Sequence, residues 1–205
     1  MTFYRRKLPH WHPEGVPIFL TWRLCGSLPA SVRTARNGCP TKDSAGKRFK
    51  LLDSALDKCS TGPFWLKDPR VATSVVQTIH RGESVLGYFV LHAFVLMPNH
   101  VHLLITPKIS LPRITNGIKG TSSHQANSIL SREGQPFWQD ESFDHWVRSP
   151  KEFGKIRAYI ENNPVSAGLV RTPQDWPWSS YSTWGGSHFW LYASYEAADR
   201  VRRQR

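Results

Sequence analysis

Apolar residues along the chain lay out its elements before any chemistry is considered. In Val16-Pro-Ile-Phe-Leu-Thr-Trp-Arg-Leu24, Ile18, Leu20, Trp22 and Leu24 fall on one face. Phe19, Thr21 and Arg23 fall on the other, the period-two pattern of a strand. Asp68-Pro69 is a helix start, with Asp68 as N-cap and proline at the first helical position. Val71, Ala72, Val75 and Ile79 then line one side and predict a helix to about Arg81. Gly82 and Gly87 bracket the turn into residues 87–106, where two apolar runs flank Pro98-Asn99 and predict a β-hairpin. A helix is expected from Leu111 to about Leu130, although Gly120-Thr-Ser-Ser123 is weak helix material. Ser142–Arg148 reads as a short strand with Phe143, His145 and Val147 on one face. Ser149-Pro-Lys-Glu152 is a capping box opening a last helix, with Phe153, Ile156 and Ile160 as its buried stripe. Its end is expected at Asn162 or Asn163, because Pro164 disfavours the helical conformation of the residue before it.

Strand, helix, strand, strand, helix, strand is the order of the split βαβ unit. The expected fold is therefore α+β: a ferredoxin-like (RRM-like) antiparallel sheet with helices on one face, plus a C-terminal tyrosine-bearing helix. Such a fold does not by itself assign a function. Three stretches fall outside the pattern. Residues 1–15 look like a basic, aromatic arm packed on the domain. Residues 25–48, rich in Gly, Ser, Pro, Thr and basic side chains, look like a long mobile insertion, followed by a helical segment near 49–59. Residues 1–185 then form one domain with an inserted basic loop at 25–60, and 186–205 a basic tail or helix.

Charge changes the picture more than size does. Lys and Arg number 27 against 15 Asp and Glu, a formal charge of +12, which points to a polyanion and first of all to nucleic acid. Arg5, Arg6, Lys7, Arg23, Arg113 and Lys119 are candidate phosphate contacts, and Trp176 and Trp178 candidate stacking surfaces for unpaired bases. The plainer account of the same residues is solvated faces and aromatics that cover the sheet edge. Three cysteines, odd in number and without a Cys-x-x-Cys pair, indicate neither a disulfide framework nor a cysteine zinc site. No apolar run approaches the length of a membrane span, and a cytoplasmic protein without membrane partners is expected.

The chemistry concentrates at two places. His100 and His102 open the second hairpin strand two residues apart, so both imidazoles project from one face, as two ligands of a divalent metal require. On the last helix, Tyr159 and Asn163 stand four apart and reach a common site. A phenol can attack a phosphodiester to give a 5′-phosphotyrosyl group and a free 3′-OH. With an ordinary pKa of about 10 it is also a good leaving group, so the linkage can pass to another DNA end without external energy. The Asn163 amide oxygen would complete an open site, whose oxygen and imidazole donors suit Mg²⁺ or Mn²⁺. On spacing alone, an amphipathic tyrosine half packed on the sheet is the commoner account of Tyr159, because aromatics at helical spacing are usually core.

Met97-Pro-Asn-His-Val-His-Leu-Leu104 together with Tyr159-Ile-Glu-Asn-Asn-Pro-Val-Ser-Ala-Gly-Leu-Val170 resembles the single-tyrosine HUH transposases, in particular the REP-associated tyrosine transposases. Leu20–Leu24, Gln135–Gln139, Phe143–Val147 and Asp175–Tyr181 extend the resemblance over most of the chain. It implies metal ligation by His100, His102 and Asn163, and nicking of single-stranded DNA by Tyr159. It further implies substrates that are imperfect DNA hairpins beside a single-stranded tetranucleotide. A monomer or homodimer is expected, with no choice between the two. The insertion matches no element of that family. Two other readings stay open: a hairpin DNA or RNA binder without catalysis, and a histidine-metal hydrolase of small phosphoesters, against which the absence of an evident carboxylate cluster counts.

Overall fold

In the computed structural model, residues 2–5, 9–12, 15–28, 42–58 and 62–183 are described. The basic arm contains a hairpin: β1 (Thr2–Arg5) pairs antiparallel with β2 (Pro9–His12). This departs from the irregular arm expected. The alternating stretch after Val16 becomes β3 (Ile18–Arg23), and the apolar runs around Pro98-Asn99 become β4 (Phe89–Leu96) and β5 (His100–Pro107). A short β6 (Phe143–Trp146) completes a four-stranded antiparallel sheet in the order β4-β5-β3-β6. That is the strand order of the expected ferredoxin-like arrangement.

Parity along the strands sends side chains to two separate cores. Ile18, Leu20 and Trp22 of β3 with Val101, Leu103 and Ile105 of β5 face α2 (Pro69–Ser84) and α3 (Leu111–Ile129). Val71, Val75 and Ile79 of α2 and Ile114 and Ile118 of α3 complete that core. Asp68 caps α2 as expected, its side chain accepting from the Arg70 amide. On strand β4 the parity changes midway, from Phe89 and Leu91 to Phe94 and Leu96. A register shift between Leu91 and Ala93 is the cause: the bulge inserts one residue, and Ala93, Val95 and Met97 then face the opposite side.

The opposite side of the sheet is covered as well. Phe19, Ala93, Val95 and Leu104 pack against Phe153 and Ile160 of α4 (Pro150–Ser166), with Phe49 of α1 (Lys42–Asp57) beside them. The sheet is thus sandwiched, two helices from the βαββαβ unit on one face and the tyrosine helix with an inserted helix on the other. The inserted segment is helical from Lys42, earlier than the 49–59 expected, and residues 29–41 lie outside the described ones. Helix α4 also overruns its expected end and continues through Pro164 to Ser166. A proline in the last turn forfeits one intrahelical hydrogen bond at most, and Gly168 at φ 70° closes the helix with its amide bonded to the Val165 carbonyl.

After α4 the chain runs back along the outer edge of β4. The Leu96 amide donates to the Trp178 carbonyl at 2.8 Å, Val95 bridges Ser179, and α5 (Ser180–Thr183) follows. An exposed edge strand is a template for pairing with another chain, and this return blocks it. The tail at 184–205 lies outside the described residues.

Candidate metal and tyrosine site

The face shared by α1 and α4 carries the polar exception to the core. His100 and His102 are fully buried on β5. Antiparallel register places Thr21 and Val95 across from His102, and Arg23 across from His100. Each imidazole is oriented through its Nδ1. Thr21 Oγ1 lies 2.7 Å from His102 Nδ1. Asn99, buried in the hairpin turn, donates from Nδ2 to the Leu56 carbonyl of α1 at 3.0 Å, so its Oδ1 is free to accept from His100 Nδ1 at 2.6 Å. That bond fixes the His100 proton on Nδ1 and leaves Nε2 as a lone-pair donor.

The two Nε2 atoms then stand 3.1 Å apart. Asp53 of α1 brings Oδ1 to 3.3 Å from His102 Nε2 and 3.7 Å from His100 Nε2, and Asp57 Oδ1 lies 3.8 Å from His100 Nε2. Ligands held about 2.0–2.2 Å from one cation at roughly right or tetrahedral angles stand about 3–3.6 Å from each other. Asp53, His100 and His102 are all buried, and the Asp53 and Asp57 Oδ1 atoms have no hydrogen-bond partner among the described residues. An uncompensated buried carboxylate is costly, so acceptors that converge in this way fit a divalent cation.

Electrostatics agree with that donor set. Burial, reinforced by His102 and opposed by Asp53, pushes His100 down to about 3, which keeps its imidazole neutral and able to ligate. Burial acts to raise the Asp53 carboxyl, but attraction to His102 and then His100 outweighs it and holds the group below its ordinary value. Asp57 is pushed up to about 6, by burial first and by the Asp53 charge second.

Tyr159 stands at the rim. Its ring centroid lies 5.6 Å from that of His102, with Phe19 at 6.1 Å and Phe49 at 6.4 Å as edge-on neighbours. The residue keeps 37% of its surface exposed, so a phosphodiester can approach it from solvent. Asn163 is buried one turn later, its Oδ1 without a hydrogen-bond partner among the described residues. The structure therefore brings His100, His102 and Tyr159 to one face of the sheet. A cavity of about 160 Å³ opens beside His100, lined among others by Asp57, Phe64, Lys67 and Met97.

The remaining expected contacts scatter. Arg6 and Lys7 lie outside the described residues, as does the Arg5 side chain, although Arg5 ends β1. Arg23 is part-buried, with Nη1 3.3 Å from Ser27 Oγ. Arg113 and Lys119 sit on α3, on the far face of the sheet. Arg113 lies over the Tyr88 ring, and Lys119 donates to the Gln139 and Asp140 carbonyls, the latter at 2.8 Å. Trp176 donates to the Leu96 carbonyl and packs on the tyrosine-side core, while Trp178 packs on the other. Both tryptophans thus cover the edge of β4. His145 pairs with Glu152 at 2.8 Å, and Glu152 also accepts from the Arg148 amide.

Asp53 and Asp57 were not among the candidates read from the sequence. Their signal is faint but present: Phe49-Lys-Leu-Leu-Asp53-Ser-Ala-Leu-Asp57 sets two acids four apart on one helix face inside a basic stretch. Nothing in the sequence says that this face meets the hairpin.

Four matches to known proteins bear on the site. The family described as "Transposase IS200 like" matches residues 67–163. The chain is 28% identical over 94 residues to the "REP-associated tyrosine transposase" of Escherichia coli (strain K12), a match covering 45% of this chain and 54% of that protein. A second relative, from Haemophilus influenzae, is 27% identical, with 46% of this chain and 66% of the relative covered. The chain thus spans about half to two thirds of these relatives' lengths. A solved structure of a REP-associated tyrosine transposase bound to a REP hairpin superposes with a TM-score of 0.54 at 20% identity, covering 89% of this chain and 84% of that one. At that identity the likeness shows the fold.

Proposed function

We propose that this chain, whose residues 67–163 match the family described as "Transposase IS200 like", is a transposase that nicks and rejoins single-stranded DNA beside REP-like hairpins. The observation that carries the proposal is the half-exposed Tyr159 ring packed 5.6 Å from buried His102. In this reading Tyr159 is the nucleophile. Its hydroxyl oxygen bonds to the scissile phosphorus as the bond to the 3′ oxygen breaks; the phenol gives up its proton to solvent and the departing 3′ oxygen takes one up. The products are a 5′-phosphotyrosyl link and a free 3′-OH. Attack by the 3′-OH of a second end reverses the step and restores the phenol, so no external energy is consumed.

His100 and His102 would hold a divalent metal such as Mg²⁺ or Mn²⁺, their rings oriented by Asn99 and Thr21. When bound, that ion polarises the scissile phosphate and offsets charge in the transition state. Asn163, buried with an unpartnered amide oxygen, is a further candidate ligand one turn beyond Tyr159. Phe19 and Phe49 hold the Tyr159 ring at the rim of the site.

The acidic pair on α1 removes one objection to a small-phosphoester hydrolase, since carboxylates do converge on the histidines. The charge of +12 and the family match still favour a long polyanionic substrate.

The test is incubation of a 5′- or 3′-labelled single-stranded hairpin oligonucleotide library with Mn²⁺, followed by denaturing electrophoresis. The expected result is a protein-linked DNA band that Tyr159→Phe abolishes while hairpin binding persists. Nicking by the phenylalanine variant would assign the attack to water, and binding without any nicking would make the protein a binder only.

A further inference from the structure

We propose that Asp53, on the inserted helix α1, is a protein ligand of the same metal, so that the ion ties α1 onto the sheet and α1 closes the site. The inference rests on the metal reading above and adds to it a ligand from a segment outside the residues that match the family.

Three independent features of the site point the same way. The first is an excess of acceptors. Asp53 is 3% exposed, its Oδ1 is without a hydrogen-bond partner among the described residues, and it faces His100 Nε2, which Asn99 keeps unprotonated. A buried carboxylate opposite a lone pair is repelled unless a cation or a proton stands between them. The second is spacing. Separations of 3.1, 3.3 and 3.7 Å among His100 Nε2, His102 Nε2 and Asp53 Oδ1 fit three ligands on one side of a common ion. Two imidazoles and one carboxylate form a known metal-binding face that leaves further positions open, here for phosphate oxygens.

The third is how α1 is attached. Its described apolar anchors on the site are Phe49, stacked on Phe143 with centroids 4.4 Å apart, and buried Leu56, whereas Leu51 is 72% exposed. The Leu56 carbonyl receives the Asn99 side chain, and that same side chain orients His100. Docking of α1, orientation of His100 and positioning of Asp53 are therefore one linked event. A ligand that binds only the docked state stabilises it by mass action. The metal consequently orders α1 over Tyr159, whose ring already meets Phe49.

The experiment is Mn²⁺ titration of the full chain by calorimetry, with hydrogen exchange of residues 42–57 followed with and without the ion. Wild type is expected to bind Mn²⁺ and to gain protection across 49–57. Asp53→Asn, which removes charge without bulk, is expected to bind about 10-fold or more weakly and to show no such gain. Asp53→Cys, whose thiolate suits soft ions, is expected to reverse the preference from Mn²⁺ to Cd²⁺ relative to wild type. Equal Mn²⁺ affinity in wild type and Asp53→Asn, or an unchanged metal preference in Asp53→Cys, overturns the assignment of Asp53. Failure of the wild-type chain to bind any Mn²⁺ overturns the metal site itself, a separate outcome.

Discussion

Gly82 and Gly154 both interrupt helices, and only their neighbours distinguish them. A Cβ on Gly82 would sit 2.8 Å from Phe89 Cε1, inside the core that α2 shares with the sheet. Alanine there gains about 1 kcal/mol of helix propensity but overpacks a buried ring at about 1–3 kcal/mol. Gly82→Ala is therefore expected to lower stability by up to about 2 kcal/mol in urea unfolding, because the clash with Phe89 offsets or outweighs the gain in propensity. Around Gly154 nothing lies within 4 Å of the added carbon. Gly154→Ala is expected to raise stability by about 0.5–1 kcal/mol. Opposite signs from the same substitution would establish the packing of α2; matching signs would refute it. The same scale explains why the histidines were legible and their carboxylate partner was not. His100 and His102 announce themselves by strand parity alone. Asp53 needs a contact between residues far apart in the chain, and parity carries no such information.

Among the elements, β4 holds the clearest departure from a simple strand. Its bulge turns His92 toward α4, where the ring meets Phe153 at 5.1 Å and Nε2 bonds Thr106 Oγ1 at 2.7 Å. Burial, with the Arg157 charge adding to it, pushes His92 down to about 4. The sign follows from protons bound. Below pH 6.5 the unfolded chain takes up a proton that the folded chain refuses until about pH 4, so stability falls as pH drops through that window. The full effect is of the order of 3 kcal/mol. Urea titrations at pH 7 and pH 4.5 are expected to show that His92→Gln loses less stability on acidification than wild type. An identical loss in the two proteins would contradict a neutral buried His92. Helix and strand types were readable wherever the apolar period ran long, as in α2, β5 and the capped start of α4. The bulge was not, because one inserted residue leaves the apolar count unchanged and alters only its parity. Helix α1 was half visible, its basic N-terminal half resembling a loop. The overrun of α4 past Pro164 reflects how little a proline costs in a last turn.

At the scale of the whole molecule, +12 of formal charge surrounds a site built from buried imidazoles and acids. Phosphate contacts release counterions, so affinity for single-stranded DNA should fall linearly in log–log against salt, with a slope of about −4 if about six phosphates are neutralised. Fluorescence anisotropy with an unlabelled-competitor control measures it; a flat dependence would remove DNA as the substrate. The sheet separates two tasks. One face holds α2 and α3 in an apolar core, and the other holds the histidines between α1 and α4, where Tyr159 reaches solvent. That division can be tested at a single bond. Wild-type protein incubated with Mn²⁺ and a cleavable single-stranded hairpin, digested with trypsin and nuclease and analysed by tandem mass spectrometry, should yield a nucleotide joined through its 5′-phosphate to the peptide containing Tyr159. DNA cleaved in that same reaction with every tyrosine peptide unmodified, or a nucleotide attached to any other residue, would contradict the claim.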